Sequence, residues 1–146
     1  MAIQPNFVQA ENNLGNAFRQ KGMASEAIAC YQRSIEFQPQ FITAQVNLAW
    51  MLATWPEASV RNGEKAVALA EHARMLSGDN DPAIFWTLAA ACAEAGRFEE
   101  AIAVEQKAIA LARQSGDRGL VEENEKLLAL YLQHQPYHES RSHWRK

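Results

Sequence analysis

The step Leu14-Gly15 recurs as Leu48-Ala49 and again as Leu88-Ala89, a large residue followed by a small one, each time inside a short amphipathic stretch. The first two copies lie 34 residues apart and the third follows after 40. Each is succeeded by a second amphipathic stretch anchored on an alanine, at Ala27, Ala66 and Ala101. A spacing of this size with two helices per unit specifies stacked helical hairpins rather than a compact enzyme fold, because one such unit buries its apolar face only against a neighbour. The long, curved surface of such a stack makes binding the expected class of function.

Local signals delimit seven helices. The first covers about 8–20, with Leu14 and Phe18 on one face, and Gly22 ends it. The second, 24–37, carries Ala27, Ile28, Tyr31, Ser34 and Ile35 on one stripe and stops before Pro39. The third, about 42–54, has Ala44, Leu48, Met51 and Leu52, and the fourth, about 62–76, has Ala66, Val67, Leu69, Ala70, Ala73 and Leu76. Asp81 caps the fifth, which begins at Pro82 and runs to about Ala95. Gly96 turns the chain into a sixth helix over 98–113. The seventh, 118–134, places Leu120, Val121, Asn124, Leu127, Leu128 and Tyr131 on one face, and Pro136 ends it. Residues 137–146, with Arg141, Arg145 and Lys146, read as a frayed tail.

Composition narrows the class. The chain has 146 residues, 48% hydrophobic and 21% charged, with a net charge of −3, enough for one domain with its own core. A slightly acidic chain lacks the basic face that nucleic acid needs. No apolar run approaches the roughly 20 residues of a membrane span, and Met1 to Phe7 lacks the pattern of a signal peptide. Cys30 and Cys92 fall within helices and read as small core residues, which suits a reducing cytoplasm.

These residues resemble the tetratricopeptide repeat (TPR) family, whose first helix carries a large residue, a Leu-small step and a second large residue, and whose second carries an alanine and an aromatic before a terminal proline. Unit one, about 8–41, fits with Leu14, Gly15, Phe18, Ala27, Tyr31 and Pro39, and departs at Glu11. Unit three, about 82–115, fits with Phe85, Leu88, Ala89, Cys92, Gly96, Phe98, Ala101 and Ala108, and departs at Glu105, where an aromatic is usual. Unit two, about 42–80, keeps Leu48, Ala49, Leu52, Ala66, Ala70 and Ala73. Its Leu-to-Ala distance is 18 residues against 13 in the other two, so five residues are inserted in the turn at 55–62. That unit looks like a variant met in bacterial TPR proteins. The resemblance implies an all-α, right-handed superhelix of three helix pairs closed by a capping helix at 118–134, a single domain over 1–146. The insertion is either a binding loop or a longer turn; Pro56 stiffens it and Trp55 can tuck onto the core, which favours the turn.

In TPR folds the first helix of each pair lines the concave groove. The resemblance therefore places Gln9, Asn12, Asn16 and Arg19 there from unit one, Thr43, Val46, Trp50 and Ala53 from unit two, and Ala83, Trp86, Ala90 and Glu94 from unit three. Trp50 and Trp86 lie off the core stripes and suit the anchoring of a peptide side chain, although both could instead pack between repeats. Members of the family that grip acidic chaperone tails combine two asparagines with several basic residues. Asn16 and Asn47 match those asparagines, but Asn12, Ala83 and Thr87 stand where cations are required, so the charge-assisted hydrogen bonds of that grip are missing.

No catalytic, cofactor or metal set emerges, and the chain is expected not to be an enzyme. His134 and His138 straddle Pro136, which rules out a regular i, i+4 ligand pair, and with His143 they read as a solvated tail. His72 reads as a surface residue, no glycine-rich phosphate loop occurs, and Glu99-Glu100 and Glu122-Glu123 read as solvated helix faces. The leading expectation is a scaffold module that holds a protein or peptide partner in its groove, with no nucleic acid, membrane or cofactor. The alternatives are a docking or regulatory repeat region of a larger bacterial protein, and a self-associating protein whose first helix offers its outer side to a second copy. Since Leu88 lies at a close-contact step, Leu88→Ala is expected to lower unfolding free energy by roughly 2–5 kcal/mol in denaturant titration; a loss under about 1 kcal/mol would remove Leu88 from the core.

Overall fold

The computed structural model describes residues 5–140, and within them the chain forms seven helices and no strand. The helices are α1 (Pro5–Gln20), α2 (Ala24–Phe37), α3 (Ile42–Thr54), α4 (Gly63–Ser77), α5 (Pro82–Glu94), α6 (Phe98–Ser115) and α7 (Arg118–Leu132). Most of the Met1–Phe7 run, and Arg141, His143, Arg145 and Lys146, lie outside the described residues. Helix α1 packs on α2, α3 on α4 and α5 on α6; successive pairs meet through α2–α3, α4–α5 and α3–α5, and α7 lies on α6. This all-α stack is consistent with a TPR-type superhelical fold.

Capping chemistry sets the ends. Asn62 accepts from the Lys65 N–H, Asp81 from Ala83 and Asp117 from Leu120, each satisfying a donor that the helix cannot. Gly22 and Gly96 close α1 and α5 with positive φ. There the following residue donates back across the turn, Met23 to the Phe18 carbonyl and Arg97 to that of Cys92, the pattern of a left-handed C-terminal cap.

The core is built on small residues facing large ones. Ala27, Ala49, Ala66, Ala89 and Ala101 are closed to solvent, and Tyr31, Leu48, Leu88 and Trp55 fill the adjoining grooves. Cys30 and Cys92 are buried free thiols, and burial pushes the Cys92 thiol up to about 11. Leu14 departs from expectation. It is 44% exposed, whereas Leu48 and Leu88 are buried. Helix α1 is covered mainly by α2 and barely by α3, so only a narrow stripe of Val8, Asn12 and Gly15 is enclosed. Gly15 supplies the close contact instead: a Cβ there would come within 2.7 Å of the Tyr31 ring.

The insertion at 55–62 is a folded turn. Trp55 is 2% exposed, the Asn62 N–H donates to the Leu52 carbonyl at 2.8 Å, and Gly63 lies so close to Ala95 that a Cβ would meet its backbone nitrogen at 2.5 Å.

Glu105 stands where the family usually carries an aromatic, and its side chain is fully enclosed, with neither carboxyl oxygen hydrogen-bonded among the described residues. Tyr131 and Asn124 from α7 are buried too, and the Tyr131 hydroxyl and Asn124 Oδ1 lack partners in the same sense. Burial pushes the Glu105 carboxyl from 4.5 up to about 8. The unfolded chain therefore releases this proton at a lower pH than the folded one, and stability falls as pH rises from about 4.5 to 8. Glu105→Met, similar in shape and without charge, is expected to melt close to the parent protein at pH 5 and well above it at pH 8.5. Parallel melting curves across that range would show that Glu105 is not a buried titrating group.

Candidate functional site

Helices α3, α5 and α7 enclose a cleft of about 290 Å³ lined by Trp50, Trp86, Leu120, Asn124 and Leu127, with Glu123 and Lys126 among its polar lining residues. Both tryptophans are half-buried and both line the cleft. Tyr137, from the segment after α7, also lines the cleft, and its ring lies 5.9 Å from that of Trp50 at an interplanar angle of 37°. Burial, followed by the carboxylates of Glu139 and Glu123, raises the Tyr137 phenol above its usual range.

The groove residues expected from sequence do not form one surface. Trp50 and Trp86 share the cleft, and Glu94 joins its neighbourhood through His138, whose Nε2 lies 2.6 Å from the Glu94 carboxylate. Ala90, and Ala53 with it, are buried among helices. Asn12 and Asn16 belong to a separate amide cluster. Asn47 donates to Asn12 at 3.0 Å and to Asn16 at 3.3 Å, and the Tyr31 hydroxyl donates to Asn16 at 2.6 Å. Asn12 is 1% exposed, so this cluster joins α1, α2 and α3 rather than presenting free amides. Arg19 and Val46 are half-buried, and Arg19 lies near enough to Tyr31 to oppose the upward effect of burial on that phenol.

The segment after α7 is anchored back onto the bundle, contrary to a frayed tail. His134 takes a left-handed conformation (φ 57°), the one non-glycine residue to do so among those described. The Gln135 N–H donates to the Leu130 carbonyl and the His134 N–H to that of Tyr131, so His134 fills the position that Gly22 and Gly96 occupy elsewhere. Its ring stacks on Phe98 at 5.0 Å. Beyond Pro136 the Glu139 N–H donates to the Thr54 carbonyl at 2.7 Å.

Arg61, within the inserted turn, organises the near wall. Its Nη1 donates to the carbonyls of Trp55 (2.6 Å) and Pro56 (2.8 Å), and its Nε to Glu94 at 3.1 Å. Glu94 therefore bridges Arg61 through one oxygen and His138 through the other. Sequence reasoning missed Thr54, Arg61, Tyr137, His138 and Glu139. The contacts that bring them together, Arg61 and His138 with Glu94, Tyr137 with Trp50 and Glu139 with Thr54, are distant in sequence and leave no periodic trace. The nearest signal was the location of the insertion itself.

Stacked helical hairpins, with a cleft between α3, α5 and the last helix α7, define a helical-repeat protein. Residues 8–41 match the family model described as Tetratricopeptide repeat, and this match with the seven helices fits a TPR repeat protein. Among curated proteins none matches the chain. TPR repeats generally mediate protein–protein interaction. No described helix is long and apolar enough to cross a membrane.

Replacing Arg61 by alanine strands two carbonyls and one oxygen of Glu94. The expected cost is about 1–3 kcal/mol, with faster amide exchange over 55–62. Arg61→Lys is expected to recover only part of it, since a single ammonium cannot reproduce the guanidinium fork. Wild-type stability in Arg61→Ala would refute the clamp.

Proposed function

We propose that the chain is a protein-interaction module, one domain of three helix pairs at about 8–41, 42–80 and 82–115 with a capping helix at 118–134, that holds a peptide or helix of a partner in the cleft between α3, α5 and α7. The observation that carries this reading is the pairing of two half-buried tryptophans, Trp50 and Trp86, in one apolar cleft. Large, stiff, partly accessible rings bury much area at little cost in conformational freedom, which is why such residues anchor interfaces. A polar rim at Glu94, Glu123 and Lys126 would orient the bound segment. A modular contact of this kind typically binds in the micromolar range, about −8 kcal/mol.

The module is proposed to work as a non-enzymatic scaffold in the cytoplasm. In this proposal Trp50, Trp86 and Glu94 meet the partner, while Asn12 and Asn16 tie α1 to α2 and α3 outside the cleft. Self-association is the second reading. Phe7 and Leu14 on α1 are exposed large hydrophobics, and a second copy would cover them.

Capture of partners from cell extract by the parent chain and by the Trp50→Ala, Trp86→Ala double variant tests the cleft. Recovery by the parent alone is the expected result. Equal recovery by both would refute the assignment. Concentration-dependent mass in light scattering, suppressed by Leu14→Glu but not by the tryptophan substitutions, would favour self-association instead.

A further inference from the structure

The cleft already has an occupant. Tyr137 lies against Trp50, the His138 imidazole meets Glu94 at 2.6 Å, and the Glu139 N–H donates to the Thr54 carbonyl at 2.7 Å. An aromatic side chain in an apolar cleft, a basic side chain on a carboxylate and a backbone donor on a helix-end carbonyl together make a short extended peptide seated in a receptor. We propose that residues 137–139 are a built-in occupant, and that the partner is an extended peptide with an aromatic side chain followed by a basic one, which displaces Tyr137 and His138. This rests on the peptide-site reading above and adds the chemistry of the ligand and the competition it must overcome.

Three observations support displacement over a permanent structural role. Its bonds to Glu94 and to the Thr54 carbonyl lie outside every helix ladder, so its release leaves the backbone hydrogen bonds of α3, α5 and α7 in place. It also under-fills its site. About 290 Å³ remains open beside Tyr137, bounded by Trp86, Leu120 and Leu127, so a competitor with a larger ring or a further apolar residue would gain contacts that Tyr137 does not make. Finally, the left-handed turn at His134 lies at the start of the segment and outside the last helix, where the chain can re-aim without unwinding α7.

The charge pattern selects the second residue of the ligand. Glu94 receives Arg61 on one oxygen and leaves the other to His138. An imidazole, ammonium or guanidinium donor suits that oxygen, and a carboxylate there would face repulsion from Glu94.

The test uses the full chain and a labelled synthetic peptide of sequence His-Gln-Pro-Tyr-His-Glu-Ser, which reproduces residues 134–140. A tethered segment competes at an effective concentration in the millimolar range, so releasing it is expected to tighten peptide binding by about tenfold or more. Release is achieved in two independent ways: Tyr137→Ala with His138→Ala, and Glu139→Pro, which removes the N–H given to Thr54 from a position outside every helix. Both variants are expected to keep the parent's helical circular dichroism and to bind more tightly than the parent. A peptide with alanine for its tyrosine is expected to bind none of them, and adding Trp50→Ala to a released chain is expected to abolish binding. Equal affinity for parent and released chains, no binding to either released chain, or binding that survives Trp50→Ala would each overturn the proposal. If it fails while the tryptophan substitutions still eliminate partner capture, the cleft remains a binding site and only its self-occupancy falls. If capture is unaffected as well, both readings fall.

Discussion

Close approach of helix backbones is the constraint on which this structure depends. Gly15 touches the face of Tyr31 so tightly that one added carbon would collide with the ring. Ala27, Ala49, Ala66, Ala89 and Ala101 are all closed to solvent along the stack. Small residues at these points let the neighbouring large side chains interdigitate at the density of a protein interior. The side chains left facing the cleft are set by the same geometry: once Leu48 and Leu52 turn inward on α3, Trp50 is directed elsewhere, and the same holds for Trp86 between Phe85 and Leu88 on α5.

The helices were legible because their signals are local. Pro39, Asp81-Pro82, Gly22 and Gly96 punctuate the chain, and the Leu-small steps locate the contacts. Leu14 misled because its place in the repeat matches that of Leu48 and Leu88, while its surroundings do not: α1 has little of α3 against it, so burial follows Val8, Asn12 and Gly15. Of the candidate site, the two tryptophans could be named from their offset to the core stripe. The receptor for residues 137–139 could not. Pro136 and the polar run after it carry no period, and Arg61, Glu94 and His138 meet only once the chain has folded.

Where the chain departs from the tetratricopeptide pattern, the departures have different physical characters. In the additional turn of unit two, Arg61 donates to the carbonyls of Trp55 and Pro56, and Trp55 is buried. Glu105 is the opposite case, a carboxyl enclosed beside Tyr131 and Asn124 without a hydrogen bond of its own among the described residues. Burial pushes its carboxyl up to about 8, and an enclosed carboxyl without a partner costs stability there.

A stack of helical hairpins is close to a one-dimensional object, in which each unit senses only its neighbours and the ends fray first. The strand of chain from His134 to Glu139 alters that connectivity. Thr54 and Glu139 are separated by 85 positions, and their contact ties the middle of the array to its far end. With this tie in place the array becomes a closed ring from α3 through α7, and opening α7 also disturbs the turn behind α3. Unfolding of that ring is then more cooperative than a sum of adjacent pairs, whereas α1 and α2, outside it, retain the independence of ordinary terminal repeats.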